Sequence, residues 1–438
     1  MTTARDASRD IVITGMGIFS PIGVGIDAFW NSLAEGRSGI HRVKIFPGFA
    51  APDQAGGVVT EFTEESAKKV YLKDHRKNLK AMCREIQLGV ASATQALQNS
   101  ALNLEAIDHE RLGVEFGANL MLSAPDILQP AVAACAEHEG QRFEYGEWAP
   151  LGIPKMEPLW LLRYLPNMPA CHISIGSDAR GPSNSLTLDD ASGNTVLSEA
   201  CRILDRGTAD VMITGVTGTT MHPIKTMHLA LFHDLASTPA EPERRCRPFD
   251  LHRAGRVVSE GTCTLILESR GHAEARGAKI WARIAGTGMA TVTDATGKPD
   301  FRRALAGAMN AALRSAGMSP GEIGHVNAHG VGTKDGDIAE SQAIHDVFGP
   351  ERGRTIPVTA LKSFLGNSGA GSGLLELAGS ILGLSRGVIP FTINYETPDP
   401  ACPVNVVTKE PLSTTNKFVM NVNVTRIGQA SAAIVEVA

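Results

Sequence analysis

Short apolar runs alternate with amphipathic segments along this chain of 438 residues. Apolar runs that end in glycine at residues 11–15, 113–117 and 211–215 predict buried strands. Residues 191–205 instead have a helical period, with one apolar face formed by Val196, Leu197, Ala200, Ile203 and Leu204. This alternation of strands and helices indicates an α/β fold.

The second half repeats the alternation less regularly. We predict strands over residues 280–286, 325–327, 356–359, 418–424 and 432–437, and helices over 301–316, 337–347 and 374–384. The similar order suggests an internal duplication, with an N-terminal half over residues 1–270 and a C-terminal half over 271–438. No low-complexity linker separates the halves, so we expect them to pack as one body.

Composition narrows the class of protein. Hydrophobic residues make up 43% of the chain and charged residues 20%, as in a globular protein large enough for two cores. The net charge of −5, without a basic run, gives no sign of nucleic-acid binding. No segment reaches the ~20 apolar residues that cross a membrane, and the first residues do not resemble a signal peptide. We expect a cytoplasmic protein without membrane insertion.

The seven cysteines form no C-x-x-C pair and no metal-ligand spacing. Scattered cysteines beside apolar neighbours indicate buried free thiols in a reducing compartment. We therefore expect no disulfide framework, no metal and no cofactor.

Residues 181–193 have the pattern of a strand that enters a sharp turn and opens a helix. A helix N-terminus favours negative charge and lowers the pKa of a thiol placed there, so this turn is suited to a nucleophile. The residue at the turn is Asp190.

Other motifs occur in a fixed order along the chain, at residues 11–23, 246–250, 253–261, 327–340 and 362–376. With the turn at Asp190, they resemble the β-ketoacyl synthases, the condensing enzymes of fatty acid and polyketide assembly, over about residues 10–437. The resemblance implies the thiolase fold, a five-layered αβαβα body with duplicated halves that usually forms dimers. It also implies an acyl carrier protein as partner.

The resemblance identifies the site residues and several departures from the family pattern. Where the family has the cysteine that takes up the acyl chain, this sequence has Asp190, a far poorer acyl acceptor. His329 matches the first of the two family histidines that stabilise the enolate, and Asn367 replaces the second. Lys362 is retained, where it either orients His329 or pairs with Glu376 or Asp190.

The C-terminal glycine-rich loop of the family, which supplies a gating phenylalanine and an oxyanion N–H, is also changed. Aligned from Asn421, Thr425 replaces the gate, and Arg426 and Ile427 replace paired glycines. Arg256 replaces an apolar residue of the middle motif. Thr425, Arg426 and Glu376 are the expected substrate-binding residues, and an ion pair between Arg426 and Asp190 would plug the pocket.

Alternatives remain open at these positions. Asp190 is either a helix cap without chemistry, or a carboxylate that shares a proton with Asp189, or a base or nucleophile assisted by His329. His329 is either an inherited core residue or a polar residue of the site. Residues 121–170, which include an apolar cluster at 158–166, are either a covering loop with one short helix or a dimer contact and a wall of the acyl pocket.

Two classes of function follow from the resemblance. The first is a non-condensing partner similar to a chain-length factor, working with an acyl carrier protein as a homodimer or as a heterodimer with an intact ketosynthase. Chain-length factors commonly have glutamine at the turn. The second is an enzyme on the same fold that uses Asp190 and His329 for decarboxylation, hydrolysis or acyl transfer to an oxygen or nitrogen nucleophile.

Overall fold

Ten strands form most of the sheet, and the chain passes through them in the same order twice. In the computed structural model, which describes residues 7–44, 50–136, 142–238 and 240–438, the first five are β1 Ile11–Ser20, β2 Leu112–Ala118, β3 Ser183–Leu186, β4 Val211–Thr219 and β5 Glu260–Ser269. The second five are β6 Ala282–Thr291, β7 His325–Asn327, β8 Pro357–Thr359, β9 Phe418–Val424 and β10 Gln429–Val437.

The two sets of strands have one topology. Their spatial orders are β3-β2-β4-β5-β1 and β8-β7-β9-β10-β6, which is third, second, fourth, fifth and first in both. In each set the third, second and fourth strands are parallel, and the fifth pairs antiparallel with the fourth and the first. This repeated order confirms the predicted duplication.

The two sets are joined where β1 pairs with β6 through Val12 and Ile13. Short strands extend this sheet or form small ribbons, at Gly23–Val24, Ile40–Arg42, Ala55–Gly57, Val388–Ile389, Asn405–Val406 and Leu412–Ser413. β5 ends at Ser269 and β6 begins at Ala282, with a helix over Arg270–Ala275 between them. The predicted boundary after residue 270 stays a prediction.

Six helices complete the five layers. They are α1 Arg84–Ser100, α2 Met168–Ser177, α3 Ser192–Asp205, α4 Phe301–Ala316, α5 Lys334–Phe348 and α6 Ser372–Leu384. α1 and α2 cover the first sheet half and α4 covers the second with α5 against it, whereas α3 and α6 lie between them and contact strands of both. Further helices are Ile26–Glu35, Glu64–Ser66, Pro125–Ala134, Pro223–Phe232, Arg352–Thr355 and Lys362–Leu365.

The middle helices explain how the two halves meet. Every residue of α6 is buried, as expected for a helix that is apolar on nearly all sides. A Cβ added to Gly193 in α3 would lie 3.0 Å from the Cα of Gly373 in α6, so only glycine lets the two helix beginnings approach this closely. This contact brings the turn at Asp190 beside the segment that precedes α6.

The irregular segment at residues 121–170 contains more structure than one short helix. A ten-residue helix at Pro125–Ala134 is followed by short turns, the last at Trp160–Tyr164, and residues 137–141 lie outside the described residues. Leu159 and Leu161 are exposed, while Met121 and Tyr164 line a cavity of about 550 Å³. The segment therefore forms a cavity wall.

Glu115 is a buried carboxyl on β2 with incomplete hydrogen bonding. Its Oε1 accepts from Asn184 Nδ2 at 3.3 Å, and its Oε2 has no partner among the described residues. Burial, and secondly the charge of Glu199, raise its pKa to about 7.

We predict that Glu115→Gln changes the pH dependence of stability. Between about pH 4.5, the ordinary pKa, and about pH 7 the native chain keeps a proton that the unfolded chain has lost, so this group makes the free energy of unfolding fall as pH rises. The free energy of unfolding of the variant, relative to that of the wild type, should therefore rise from pH 5 to pH 8, by at most about 3 kcal/mol. Thermal unfolding at both pH values tests this, with Glu110→Gln at an exposed position as control; an equal offset at both pH values would contradict it.

Candidate functional site

Asp190 lies at the turn between β3 and α3. Residues Asp189–Ala191 form one 3-10 turn that runs directly into α3, and Leu188 N donates to Ser192 Oγ at 3.1 Å. Asp189 has a φ of +46°, a left-handed conformation that aspartate tolerates better than most residues. The predicted start of the helix at residue 191 is one residue early.

The Asp190 side chain is buried, with 2% of its surface exposed. Its Oδ1 accepts a hydrogen bond from Asn367 Nδ2 at 2.8 Å, and Asn367 Oδ1 accepts from Gly369 N at 3.0 Å, which fixes the orientation of the amide. Ala191 occupies the N-cap position of α3, and no side chain caps it. The expectation that Asp190 caps the helix is therefore wrong, because its carboxylate bonds to Asn367.

His329 and Lys362 form a second group in the site. Lys362 Nζ lies 3.4 Å from His329 Nδ1, and both residues are buried. Burial, then the charges of Lys362 and Arg256, hold the pKa of His329 well below its usual value, so the imidazole is neutral. Because an ammonium only donates hydrogen bonds, Nδ1 is the acceptor and the proton of His329 resides on Nε2.

Glu340 holds the loop that carries His329. Glu340 on α5 accepts hydrogen bonds from the backbone N–H groups of His329 and Gly330 at 2.7 and 2.8 Å. Burial raises the pKa of Glu340 to about 8, and the two N–H groups partly offset this rise. Glu340 thus positions the backbone of His329 and leaves its ring to Lys362.

Glu376 lies behind this group and does not line the cavities at the site. Its Oε1 is 2.5 Å from Lys362 Nζ, both side chains have no exposed surface, and its Oε2 accepts from Asn423 Nδ2 at 2.9 Å. The expected substrate contact of Glu376 is therefore corrected: complete burial leaves its carboxylate only protein partners. Of the pairings open to Lys362, the structure shows those with His329 and Glu376.

The loop after β9 forms a tight turn. Thr425 N donates to Gln429 O at 2.8 Å, and Gly428 N donates to Thr425 O at 3.0 Å. Thr425 is buried and Arg426 is exposed at the tip of the turn. The N–H of Thr425, in the loop that the family resemblance assigns to the gate and the oxyanion, is thus used inside the turn.

Two cavities meet at this site. The first, of about 430 Å³, is lined by Asp189 and Asn367, and the second, of about 290 Å³, by His329 and Thr425. Arg256, Arg426 and His233 line both of them. Asp190 lines neither cavity, which agrees with its burial.

Arg426 makes no ion pair with Asp190 among the described residues, so the expected plug is not formed. Instead the charges of Arg256 and Arg426 act on Asp189, whose side chain is open to the first cavity. Desolvation by the surrounding protein, and then the charge of Asp190, outweigh them and raise the pKa of Asp189 above its ordinary value. The two neighbouring carboxyl groups therefore influence each other, although only that of Asp189 lines a cavity.

Several residues around the first cavity lie outside the motifs of the sequence. Lys225 lies in its wall and pairs with the buried Glu85, Nζ to Oε2 at 3.1 Å. Burial, then Arg256 and Arg426, lower the pKa of His233 to about 4. No family motif covers Lys225 or His233, and only the apolar face of the helix Pro223–Phe232 could have indicated this wall.

The thiol of Cys246 is not available as a nucleophile. Cys246, in the middle motif, is buried, and burial raises its pKa to about 12, so its thiol is protonated. In the part of the chain that the structure describes, no cluster of His, Cys, Asp or Glu is arranged to hold a metal ion. None of the described helices is long and apolar enough to cross a membrane.

We predict that Lys362→Met destabilises the protein by about 3–5 kcal/mol, because it leaves the Glu376 carboxylate buried without its counter-ion. The double variant Lys362→Met with Glu376→Leu should recover most of this loss, since apolar residues can replace a buried pair at little cost. Denaturant unfolding of the three proteins measures both effects. A single variant as stable as the wild type, or a double variant no better than the single, would contradict the central role of the pair.

Comparisons with known proteins agree with this geometry. Residues 8–273 match the family model described as beta-ketoacyl synthase, N-terminal domain, and residues 281–396 match the beta-ketoacyl synthase, C-terminal domain. The chain is 30% identical over 404 residues to the 3-oxoacyl-[acyl-carrier-protein] synthase 2 of Vibrio harveyi, covering 92% of both chains. It is 33% identical over 411 residues to a beta-ketoacyl synthase 1 named for the oxytetracycline polyketide, from Streptomyces rimosus, covering 93% of this chain and 92% of that protein.

Solved structures show the same fold. The ishigamide ketosynthase/chain length factor is similar with a TM-score of 0.83 at 27% identity, covering 98% of this chain and 99% of that one. A beta-ketoacyl synthase from Burkholderia phymatum STM815 has a TM-score of 0.85 at 26% identity, with the same coverage. These likenesses confirm the predicted thiolase-like fold. Because family models match most of its length, the chain belongs to the β-ketoacyl synthase family.

Proposed function

We propose that this chain is a non-condensing member of the β-ketoacyl synthase family that binds acyl groups in fatty acid or polyketide assembly, in the manner of a chain-length factor. The observation that carries the proposal is the buried Asp190 carboxylate, bonded to Asn367 Nδ2 at 2.8 Å and absent from the walls of both cavities. A nucleophile must reach the thioester carbonyl, and this carboxylate is turned into the protein.

The chemistry of a carboxylate supports the same conclusion. Attack of an aspartate on a thioester would give a mixed anhydride, whose formation from a thioester is uphill and which water cleaves readily. The fully buried thiol of Cys246, with a pKa of about 12, offers no substitute. The covalent step on which condensation depends therefore has no suitable residue in the site.

The donors that would stabilise an enolate are also reduced. Neutral His329 can donate from Nε2 to a thioester oxygen, and Asn367 keeps one amide N–H while the other donates to Asp190, but Thr425 N already donates to Gln429 O. Removing one such donor typically costs about 10²- to 10³-fold in rate. The site can thus bind a thioester without driving the bond changes of condensation.

Binding capacity is preserved. The cavity of about 430 Å³ has the size of a small-molecule site, and its walls include the apolar side chains of Leu120, Leu122, Ile224 and Leu229. An acyl chain delivered by an acyl carrier protein is the ligand that this family setting suggests. One similar structure is titled as a type II PKS acyl-carrier protein in complex with its ketosynthase.

The surface supports assembly with a second subunit. β3 lies at the end of the sheet, and its outer edge is unpaired in the described part of the chain. Leu161, in the irregular segment at residues 121–170, and Leu120, just before that segment, are also exposed. An open edge strand favours pairing with another chain. We propose an intact ketosynthase as the partner, with a homodimer as the other assembly; light scattering of the chain alone and mixed with a ketosynthase separates them.

The alternative of an enzyme that uses Asp190 with His329 has less support. Asp190 bonds to Asn367 and makes no hydrogen bond with His329, so the pair lacks the direct contact of a general-base couple. The assays below detect hydrolysis or decarboxylation if either occurs.

We predict that the purified chain forms no 3-oxoacyl product from acyl- and malonyl-carrier protein, because it has no acyl acceptor. Intact-protein mass spectrometry should show no acyl adduct on the chain, while an intact ketosynthase under the same conditions shows both adduct and product. Product formation at about 1 per second or faster, a normal enzyme rate, would refute the proposal. Release of free acid or of carbon dioxide would favour the enzymatic alternative.

Replacement of Asp190 by cysteine is expected to give acylation without efficient condensation. The new thiol sits at the beginning of α3, where an anion is favoured, but asparagine still stands in place of the second family histidine, and the N–H of Thr425 is still used inside the turn. We expect a mass increase of one acyl group and a condensation rate at least about 100-fold below that of an intact ketosynthase. Asp190→Ser is the matched control without a thiol, and full activity of Asp190→Cys alone would show that the other changes are neutral.

A further inference from the structure

Two arginines lie where the two cavities meet. Arg256 and Arg426 line both the first and the second cavity, together with His233. Neither guanidinium forms an ion pair or a side-chain hydrogen bond with any described residue, and the Nε of Arg256 is buried without a partner. A guanidinium keeps its charge at all ordinary pH values, and a buried donor without an acceptor is unfavourable. Both guanidinium groups therefore have donors at the junction that no described side chain uses.

The surrounding groups respond to this positive charge. Arg256 contributes to the lowered pKa of His329, and both arginines contribute to the lowered pKa of His233, after burial in each case. The acidic residues nearby are Asp189 in the first cavity and Asp234 and Asp335 in the second. Asp189 lies beyond 4 Å from both guanidinium groups, so it leaves their donors open.

The position of the arginines restricts the ligand. They flank the passage between the apolar walls of the first cavity and the cavity that contains His329, so an anion bound there is close to a thioester oxygen at His329. Carboxylates match the planar fork of arginine with paired hydrogen bonds. An uncharged alkyl chain would leave both guanidinium groups unpaired at this point.

We propose that Arg256 and Arg426 form a subsite for a carboxylate carried by a short acyl group, and that this chain prefers such acyl groups over neutral ones. The inference rests on the proposed function, since it names the class of acyl group that the non-condensing site holds.

Binding of three probes tests the subsite by calorimetry. The first is the amide analogue of glutaryl N-acetylcysteamine thioester, which carries a carboxylate, does not hydrolyse and contains no phosphate. The second is the same molecule with a terminal carboxamide, which keeps the shape and removes the charge. The third is inorganic phosphate. We expect the carboxylate probe to bind at least about tenfold more tightly than the carboxamide, as charged hydrogen bonds to arginine allow.

Variants assign the preference to the two arginines. Arg256→Met and Arg426→Met should each reduce the preference several-fold, and the double variant should abolish it. The matched control is Arg206→Met, an exposed arginine just after α3, at the end of that helix opposite Asp190. Because Arg426 is exposed, its variant should keep the thermal midpoint of the wild type, so the test stands even where Arg256→Met folds poorly.

Equal binding of the two amide probes by the wild type would overturn the inference, as would a preference that survives in the double variant. Phosphate that displaces the carboxylate probe with equal affinity would also overturn it, since the junction would then accept any small anion. If the chain shows no preference for the carboxylate probe and also no condensation activity, only the inference fails and the proposed function is unaffected. Condensation activity refutes the proposed function whatever the probes show.

Discussion

The ion pair between Lys362 and Glu376 is the interaction on which the arrangement of the site depends. Its two charges are 2.5 Å apart without exposed surface, so each is stable in the interior only because the other is present. Asn423 on β9 completes the hydrogen bonding of Glu376. The ammonium is thereby held beside His329, where it fixes which ring nitrogen carries the proton. The protonation of His329 thus depends on Lys362 and Glu376, which line neither cavity.

The carboxyl group of Asp190 depends on a different partner. A buried carboxylate needs a donor, and at Asp190 that donor is the amide of Asn367. The two residues come from opposite halves and meet because Gly193 and Gly373 let α3 and α6 begin in contact. The fold therefore accommodates a carboxylate through one partner amide while the architecture around it stays that of the family.

The sequence predicted much of the fold because its strongest patterns are local. The strands over residues 325–327 and 418–424 and the helix over 301–316 have the predicted bounds. The strand predicted at 280–286 runs to Thr291 instead, because its later residues pair with β10 in a register that no local pattern reveals. The buried helix α6 was also recognised, although its bounds begin two residues earlier.

The site was predictable only as far as the motif resemblance reached. It gave the positions of Asp190, His329, Lys362 and Asn367, but the direction of each side chain depends on distant partners. Glu376 faces inward, where it pairs with Lys362 and accepts a hydrogen bond from Asn423. Contacts of this kind depend on how the halves pack, and a single sequence read along its length does not contain that information.

The turn from Thr425 to Gly428 has a consequence for the kinetics of ligand exchange. Its backbone is tied to itself and to the first residue of β10, so opening it would break hydrogen bonds of the ladder. Loops that close over enzyme sites move in microseconds to milliseconds, whereas an exposed side chain such as Arg426 changes rotamer in picoseconds to nanoseconds. Entry from this side then needs no slow opening of the loop, so the residence time in the cavities follows from the affinity and a fast association rate.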